Sequence, residues 1–412
     1  MSGLCYSAPA HESWNLAHIC RLIPESHTLF ATPAGCSRII RISAIEKGIS
    51  ENFTTLDITS ADIIDGGVEE KILKGVRETL GCLKSENRMP RAMLVFISCV
   101  DTFIGTDHEY YLDSLRKEYP EVHFLDCAMD PINREILPPI ARMHLRISET
   151  FKNLKKHKSV IFTGSFVAPD KDNELIKHLR ANGTESLHIY NCRTMDEAEK
   201  MGGSMLNIVL HPTGVYAAKD LEKRTGMPWI LMPQIGAFDE QDRVYDKICS
   251  ILEIPAMDNA SMRKEAEDRL RLAAEKTDGV AISQDAYVMP CTLAKTLREH
   301  GINVKKVFLS DVAQADKEAA EEIRSAGVKT VIPDDTYAAA YINGQHEDKN
   351  TVAIGGEAAY YLKTPHSVSR IAFGGDFGYQ SIIKLSDDMI YAHEHERDLT
   401  EITLPGKGCC CI

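Results

Sequence analysis

The chain has 412 residues and a formal net charge of -13 at pH 7, and its apolar and charged fractions of 44% and 26% are those of an ordinary globular protein. This length exceeds what one hydrophobic core can organise, so we expect two or three domains. The negative charge argues against general nucleic-acid binding, which needs a basic surface, and no run approaches the roughly 18 apolar residues of a membrane span.

Predicted strands and helices alternate along the chain, which is the pattern of parallel sheets covered by helices. The first block has predicted strands at residues 28–32, 93–98 and 122–125, helices between them, and a long helix over 136–154. The basic, polar segment after that helix predicts a domain boundary near residue 157.

Two further blocks repeat this alternation. The second opens with an apolar strand at 159–164 and ends in a charged helix over 262–276, and the third holds predicted strands at 279–282, 304–309, 329–332, 350–354 and 369–373. The sequence therefore predicts an α/β fold of three consecutive Rossmann-like domains, with parallel sheets flanked by helices, over 1–157, 158–276 and 277–390. From about Tyr391 the sequence turns acidic and aperiodic, and residues 391–412 are interpreted as a tail.

Two cysteines occupy equivalent places, each where an apolar run stops and a helical segment begins. Cys36 follows the run at 28–32, and Cys99 follows the run at 93–98. In an open parallel sheet, ligands bind at the carboxyl ends of the strands. A thiol at a helix N-terminus also meets a positive potential that favours the thiolate, which is the form that binds metals or attacks substrates.

Other motifs limit the chemistry of the chain. Twelve cysteines without a visible secretory signal predict a cytoplasmic protein with reduced thiols. The end, Cys409 to Ile412, is interpreted as tail, because a prenylation box would need aliphatic residues where two of these cysteines stand. The sequence has no G-x-x-x-x-G-K-[ST] phosphate loop and no G-x-G-x-x-G after a strand, which predicts no nucleotide hydrolysis by this chain.

The ordered motifs resemble the catalytic component (component 1) of nitrogenase and of nitrogenase-like reductases. That family has a cysteine, then a Gly-Pro-x-Gly-Cys turn, then a Thr-Cys segment leading to Ile-Gly-Asp. Residues 32–36 (Thr-Pro-Ala-Gly-Cys) match the turn with Thr32 in place of the first glycine, and Thr106 separates the glycine and aspartate of the last motif. Leu-Asn at 206–207 and Gly-Met-Pro-Trp at 226–229 extend the resemblance, which covers most of the chain before the tail.

The resemblance implies that three cysteines from each subunit hold one iron–sulfur cluster at a subunit interface. Carried over, these ligands are Cys5, Cys36 and Cys99. Cys20 competes with Cys5 for the first place, but it lies in an amphipathic helix and is interpreted as a core residue. Thiolates are the usual ligands of such clusters, and three per chain suit a two-fold or pseudo-two-fold contact. The second subunit is either identical or homologous.

His211 falls where the α-type subunit of nitrogenase carries the cysteine that anchors its large metal cofactor. A histidine there argues against that cofactor, and it could ligate another metal centre, donate a proton or orient a substrate. A purely structural role for His211 stays equally open. The loop at 373–379 resembles the other side of the family's cofactor cavity, so Gly374 and Gly375 are candidate cofactor contacts. A second metallocofactor or a tetrapyrrole is left open.

The resemblance implies a catalytic subunit of a two-component reductase. A separate ATP-hydrolysing iron–sulfur reductase would pass electrons to the cluster, and a substrate would be reduced in a cavity between the domains. The missing phosphate loop agrees with this division, and His211 together with the short chain argues against dinitrogen as substrate. An alternative is a non-catalytic scaffold that uses the same cysteines to bind or assemble a metallocofactor. A third reading is a ligand-binding module without metal.

Overall fold

The computed structural model describes residues 19–46, 48–128, 137–233, 235, 238–310, 312–333, 347–370, 372 and 374–398. Within these residues the strands form three separate sheets, two of four strands and one of five. The strand pairs in all three sheets are parallel. Among the described residues, helices separate the consecutive strands everywhere except between the strands Lys329–Val331 and Val352–Ile354, so the predicted α/β class with parallel sheets is confirmed.

The first sheet is built from the amino-terminal part of the chain. Its elements are β1 (Ser26–Thr32), α1 (Ala34–Glu46), β2 (Phe53–Asp57), α2 (Ser60–Ile64), α3 (Val68–Ser85), β3 (Ala92–Ile97), α4 (Asp101–Ile104), α5 (His108–Glu118), β4 (His123–Asp126) and α6 (Pro139–Glu149). The strand order is β2-β1-β3-β4, so β1 and β3 are neighbours. Sequence reasoning missed β2, because all five of its residues are half-buried at the sheet edge and form no continuous apolar run. The predicted long helix over 136–154 is the shorter α6.

The second sheet has the strand order β6-β5-β7-β8. Its elements are β5 (Ser159–Thr163), α7 (Glu174–Ala181), β6 (Glu185–Leu187), α8 (Met195–Lys200), β7 (Leu206–Val209), α9 (Val215–Thr225), β8 (Trp229–Leu231), α10 (Phe238–Ile251) and α11 (Ala260–Lys276). The helix α9 ends at Gly226, which has a left-handed φ of 67°, as the glycine after a helix commonly does.

The third sheet has the strand order β11-β10-β9-β12-β13. Its elements are β9 (Val280–Ser283), α12 (Pro290–Glu299), β10 (Val304–Phe308), α13 (Lys317–Ser325), β11 (Lys329–Val331), β12 (Val352–Ile354), α14 (Gly356–Leu362), β13 (Ser367–Val368) and α15 (Gly378–Glu394). The predicted last strand at 369–373 is wrong: the strand is β13, which lies just before that range and has only two residues.

The helix α15 was also missed, and the aperiodic segment predicted from Tyr391 begins inside it. Its buried residues Tyr379, Ile382, Leu385 and Met389 recur every three or four positions, which is the period of one helix face. Polar and acidic residues lie between these buried positions, so the helical period is weak in the sequence.

Buried apolar clusters cross from one sheet region to the next. One cluster includes Phe162 of β5 and Ile354 of β12, and another includes Phe96 of β3 and Leu221 of α9. Each sheet lies inside one of the three predicted domain ranges, and the boundaries themselves stay predictions. The continuous cores place the strand ends of neighbouring sheets in fixed relation to each other.

Candidate functional site

Cys36 and Cys99 leave the same edge of the first sheet side by side. They follow the neighbouring parallel strands β1 and β3, in which Ala31 is paired with Ile97. One more ladder bond, from the Ser98 amide to the Ala31 carbonyl at 3.2 Å, carries the pairing to the last residue before Cys99. Cys36 lies in the first turn of α1, where its amide donates to the Pro33 carbonyl at 3.0 Å. The structure thus brings the segments of these two predicted site residues together.

The exposure of these two thiols differs from that of most other described cysteines. Cys36 and Cys99 are half-buried, whereas Cys20, Cys127 and Cys291 are buried. Burial raises the pKa of Cys20 and of Cys291 to about 12, so these thiols resist forming the thiolate that a metal needs. Cys20 therefore lies in the core, as the sequence indicated.

The third predicted ligand cannot be placed in the same way. Cys5 lies outside the residues that the structure describes, and so does the cysteine-rich end of the chain. Among the described residues, no group of three or more His, Cys, Asp or Glu side chains is arranged so that it could hold a metal ion.

Two exposed apolar side chains follow strands of the sheet that carries the two cysteines. Ile64 ends the short helix α2, which follows β2, and 82% of its surface is exposed. Phe103 lies in α4, which follows Cys99, and is 77% exposed. Because the strands are parallel, both segments leave the sheet at the edge where Cys36 and Cys99 lie. We call this set of residues, Cys36, Ile64, Cys99 and Phe103, the first-sheet edge.

His211 lies at the carboxyl end of β7 and is buried. Its Nε2 is 3.1 Å from the carbonyl oxygen of Gly374, and because a carbonyl only accepts, Nε2 carries the proton. Burial lowers the pKa of His211 to about 4, against the opposing effects of the Gly374 carbonyl and the Asp376 carboxylate. The ring is therefore neutral at pH 7 and donates a hydrogen bond to the loop before α15.

The Gly374-Gly375 loop is held tightly against the segment between β5 and α7. A Cβ on Gly375 would lie 2.7 Å from the backbone of Ala168 and Pro169, so only glycine fits there. Asn173 Nδ2 donates to the Phe377 carbonyl at 2.9 Å, which fixes the next part of the loop. The predicted glycine loop and His211 are thus in direct contact. The group that comes close to Gly375 is the backbone of Ala168 and Pro169.

Two further buried histidines were missed by sequence reasoning. His188 follows β6; its Nδ1 accepts from the Tyr190 amide at 3.1 Å, so its Nε2 carries the proton toward Ser165 Oγ at 3.1 Å. His144, on α6, stacks on the ring of Phe166 with centroids 4.6 Å apart. Their pKa values are lowered by burial, to about 4 for His188 and about 3 for His144. The pKa of His144 is lowered further by its proximity to His211 and His188.

No signal in the sequence marks these histidines as neighbours, since they come from separate elements. The strand β6 also borders two clefts of about 230 and 420 Å³, which share His188 and Asn191 in their walls. The predicted substrate cavity between the domains stays a prediction.

Known proteins match this chain in sequence and in fold. Residues 17–391 match the model of the family described as "Nitrogenase component 1 type Oxidoreductase". The match covers most of the chain, so the protein is of the oxidoreductase class. Its fold consists of consecutive parallel sheets covered by helices. The chain belongs, more particularly, to the nitrogenase component 1 type family. No curated protein sequence matched the chain.

Solved structures agree with that assignment. Nitrogenase Cp1 at pH 6.5 is 16% identical with a TM-score of 0.68, over 96% of this chain and 94% of that chain. Nitrogenase Cp1 at pH 5 is 14% identical with a TM-score of 0.59, over 95% and 90%. At such identities the likeness concerns the fold. None of the described helices is both long and apolar enough to cross a membrane.

Proposed function

We propose that the chain is the catalytic subunit of a nitrogenase-like two-component reductase. In this proposal an ATP-hydrolysing iron–sulfur reductase is the electron donor, and the substrate is reduced in a cavity between the domains. The observation that carries the proposal is the placement of Cys36 and Cys99 at the ends of neighbouring strands of one sheet. The reducing cytoplasm suits a chain of twelve cysteines.

The donor chemistry of the first-sheet edge fits an iron–sulfur cluster. Such clusters take cysteine thiolates, and Cys36 and Cys99 are half-buried thiols rather than core residues. Cys5 would be the third ligand of this chain. A bound cluster would supply one-electron transfer between the donor and the substrate.

A second subunit would complete this edge. Ile64 and Phe103 follow strands of the same sheet and expose most of their surfaces, and covering them with a partner would remove apolar area from water. An identical or a homologous chain would meet this need equally. Since the sequence contains no phosphate loop, ATP hydrolysis would in this proposal be carried out by the electron donor.

His211 would act on the substrate side of the protein. Its neutral ring is held by the Gly374 carbonyl at the contact between the second and third domains. A neutral imidazole can orient a substrate or pass on a proton, and reduction consumes protons with electrons. Gly374 and Gly375 would keep the ring in place and border the substrate or a second cofactor.

The test begins with anaerobic purification, followed by iron and sulfide analysis and electron paramagnetic resonance after reduction. We expect bound iron and sulfide and a signal from a reduced cluster. A colourless protein without iron, even after reconstitution, would contradict the proposal.

The same preparation separates catalysis from scaffolding. A catalytic subunit should oxidise the donor and retain its cofactor through many turnovers. Release of a metallocofactor to a recipient protein, without substrate reduction, would identify the scaffold function instead. Ligand binding that survives in a Cys36→Ser/Cys99→Ser variant would favour the module without metal.

A further inference from the structure

His108 connects the segment after Cys99 to the neighbouring strand of the first sheet. Its Nε2 lies 2.7 Å from Asp101 Oδ2, and its Nδ1 lies 3.0 Å from Asp126 Oδ1. Asp101 begins α4 two residues after Cys99, while Asp126 ends β4. One side chain therefore joins the Cys99 segment to the framework of the sheet.

The protonation state of His108 follows from these partners. A carboxylate can only accept hydrogen bonds, so a ring nitrogen facing each of two carboxylates must carry a proton on both sides. Burial lowers the pKa of His108, but its bonds to Asp101 and Asp126 outweigh burial and raise the pKa to about 9. The side chain is an imidazolium at pH 7, and both of its bonds are charge-assisted.

Both ends of this connection are anchored further. On the sheet side, Arg146 Nε donates to the Asp126 carbonyl at 2.5 Å, and the Ala128 amide donates to Asp126 Oδ1 at 3.0 Å. On the loop side, the Thr106 hydroxyl donates to Asp101. The segment from Cys99 onward is thus fixed by its strand, by Asp101 and by His108.

The segment of Cys36 is held by different contacts. The Ser37 hydroxyl donates to Asp57 Oδ1 at 2.6 Å, and the Cys36 amide donates to Pro33. The Ser37 bond runs to β2, which lies on the far side of β1 from β4, and the Cys36 bond stays within the turn that begins α1. The reactivities of the two thiols therefore depend on separate sets of contacts within one sheet.

We propose that His108 is a positioning residue for Cys99, which ties the Cys99 segment to Asp126 and so presets the thiol for its ligand. The proposal rests on the proposed function in one respect, that the ligand is an iron–sulfur cluster. The positioning itself concerns only this chain. Removing His108 leaves two carboxylates without their shared donor, so the segment gains freedom to open locally.

The experiment measures the alkylation rate of each thiol by peptide mass mapping in the full-length chain, freed of metal by chelation. We expect His108→Gln to raise the rate at Cys99 at least fivefold and to leave the rate at Cys36 unchanged. Asp101→Asn, which removes the loop carboxylate, should give the same selective increase and serves if the first variant folds poorly. His123→Gln is the matched control, since His123 is exposed at the opposite end of β4.

Two outcomes overturn the proposal. If the Cys99 rate does not change in either variant, the segment does not depend on His108. If both thiols react faster to the same extent, the substitution loosens the whole sheet region, and His108 has no specific role in positioning Cys99. Because no cluster is needed for this measurement, the absence of iron from the purified protein would defeat the proposed function and leave the positioning result intact.

Discussion

His211 and Gly374 are 163 positions apart in the chain, yet His211 Nε2 lies 3.1 Å from the Gly374 carbonyl oxygen. The histidine is buried and its Nε2 proton points at the loop before α15. The carboxyl end of β7 and the loop before α15 therefore form one polar contact. This contact therefore connects the proposed substrate side of the protein to the packing of the second sheet against the third.

His211→Ala tests whether this contact serves turnover. We expect turnover to fall by about 100-fold or more, because a positioned proton carrier contributes on that scale. Stability should fall by about 1–3 kcal/mol, because the Gly374 carbonyl loses its buried donor. Iron content should stay at the wild-type level. Parallel iron analysis, steady-state assays and denaturant titration measure the three quantities; loss of cluster iron would show that His211 acts at the other site.

Gly375→Ala tests the tight approach of the loop to the segment between β5 and α7. The added Cβ would lie 2.7 Å from backbone atoms of Ala168 and Pro169, so the loop or its partner must shift. We expect a loss of about 1–3 kcal/mol in the free energy of unfolding, as in other overpacked sites.

Gly81→Ala is the control for that variant. Gly81 lies inside α3 and has nothing within 4 Å of an added Cβ, so alanine should stabilise the helix by about 0.5–1 kcal/mol. Equal effects of the two substitutions in chemical denaturation would contradict the close packing at Gly375.

Phe103→Asp tests the first-sheet edge as a subunit contact. The side chain is 77% exposed, so the substitution should cost the isolated chain little. We expect the dissociation constant of the assembly, measured by sedimentation velocity, to rise at least tenfold. Ile332→Asp is the comparison, because Ile332 is half exposed and directly follows β11 of the third sheet. An assembly weakened by the second variant and not by the first would place the interface elsewhere.

Cys36→Ala and Cys99→Ala should each remove most of the iron and weaken subunit association together. Metal binding and assembly are linked when one site is built from two chains. Cys82→Ala should retain both properties, since Cys82 is exposed on α3. Iron analysis and sedimentation on the same samples check the linkage. Iron retained at the wild-type level in either strand-end variant would remove that residue from the ligand set.

Acid should destabilise the folded chain through its buried histidines. The folded pKa values of His144, His188 and His211 are about 3, 4 and 4, below the unfolded value near 6.5. Between pH 6.5 and about 4 the unfolded chain holds more protons, so stability is present above this window and is lost as the pH falls through it.

His144→Phe isolates one of these groups and keeps an aromatic ring over Phe166. In urea titrations between pH 6 and 4.5, the slope of the unfolding free energy with pH should fall by about 1.4 kcal/mol per unit, the equivalent of one proton. An unchanged slope would mean that His144 does not titrate on unfolding in this range.

The sequence was most informative where one short segment carries the whole signal. β3 could be predicted because its six residues are all apolar, and Cys99 could be singled out because it follows that run. The strand β2 was missed because its half-buried residues form no continuous apolar run, and the helix α15 was missed because polar residues interrupt its buried positions.

Contacts between distant residues were beyond sequence reasoning. His108, on α5, and Asp126, at the end of β4, are 18 positions apart, and the packing of α5 beside β4 brings them together. His211 and Gly374 are 163 positions apart, and they were associated through a family resemblance rather than through spacing. No periodicity in the chain encodes either contact.

The most direct test of the shared cluster is an iron-edge anomalous difference map from crystals of anaerobically purified protein. We predict one compact iron peak that contacts the thiols of both Cys36 and Cys99 and lies against a second subunit. Iron beside Cys20 or another core cysteine would contradict the account. So would an iron-containing crystal in which no iron lies next to Cys36 or Cys99.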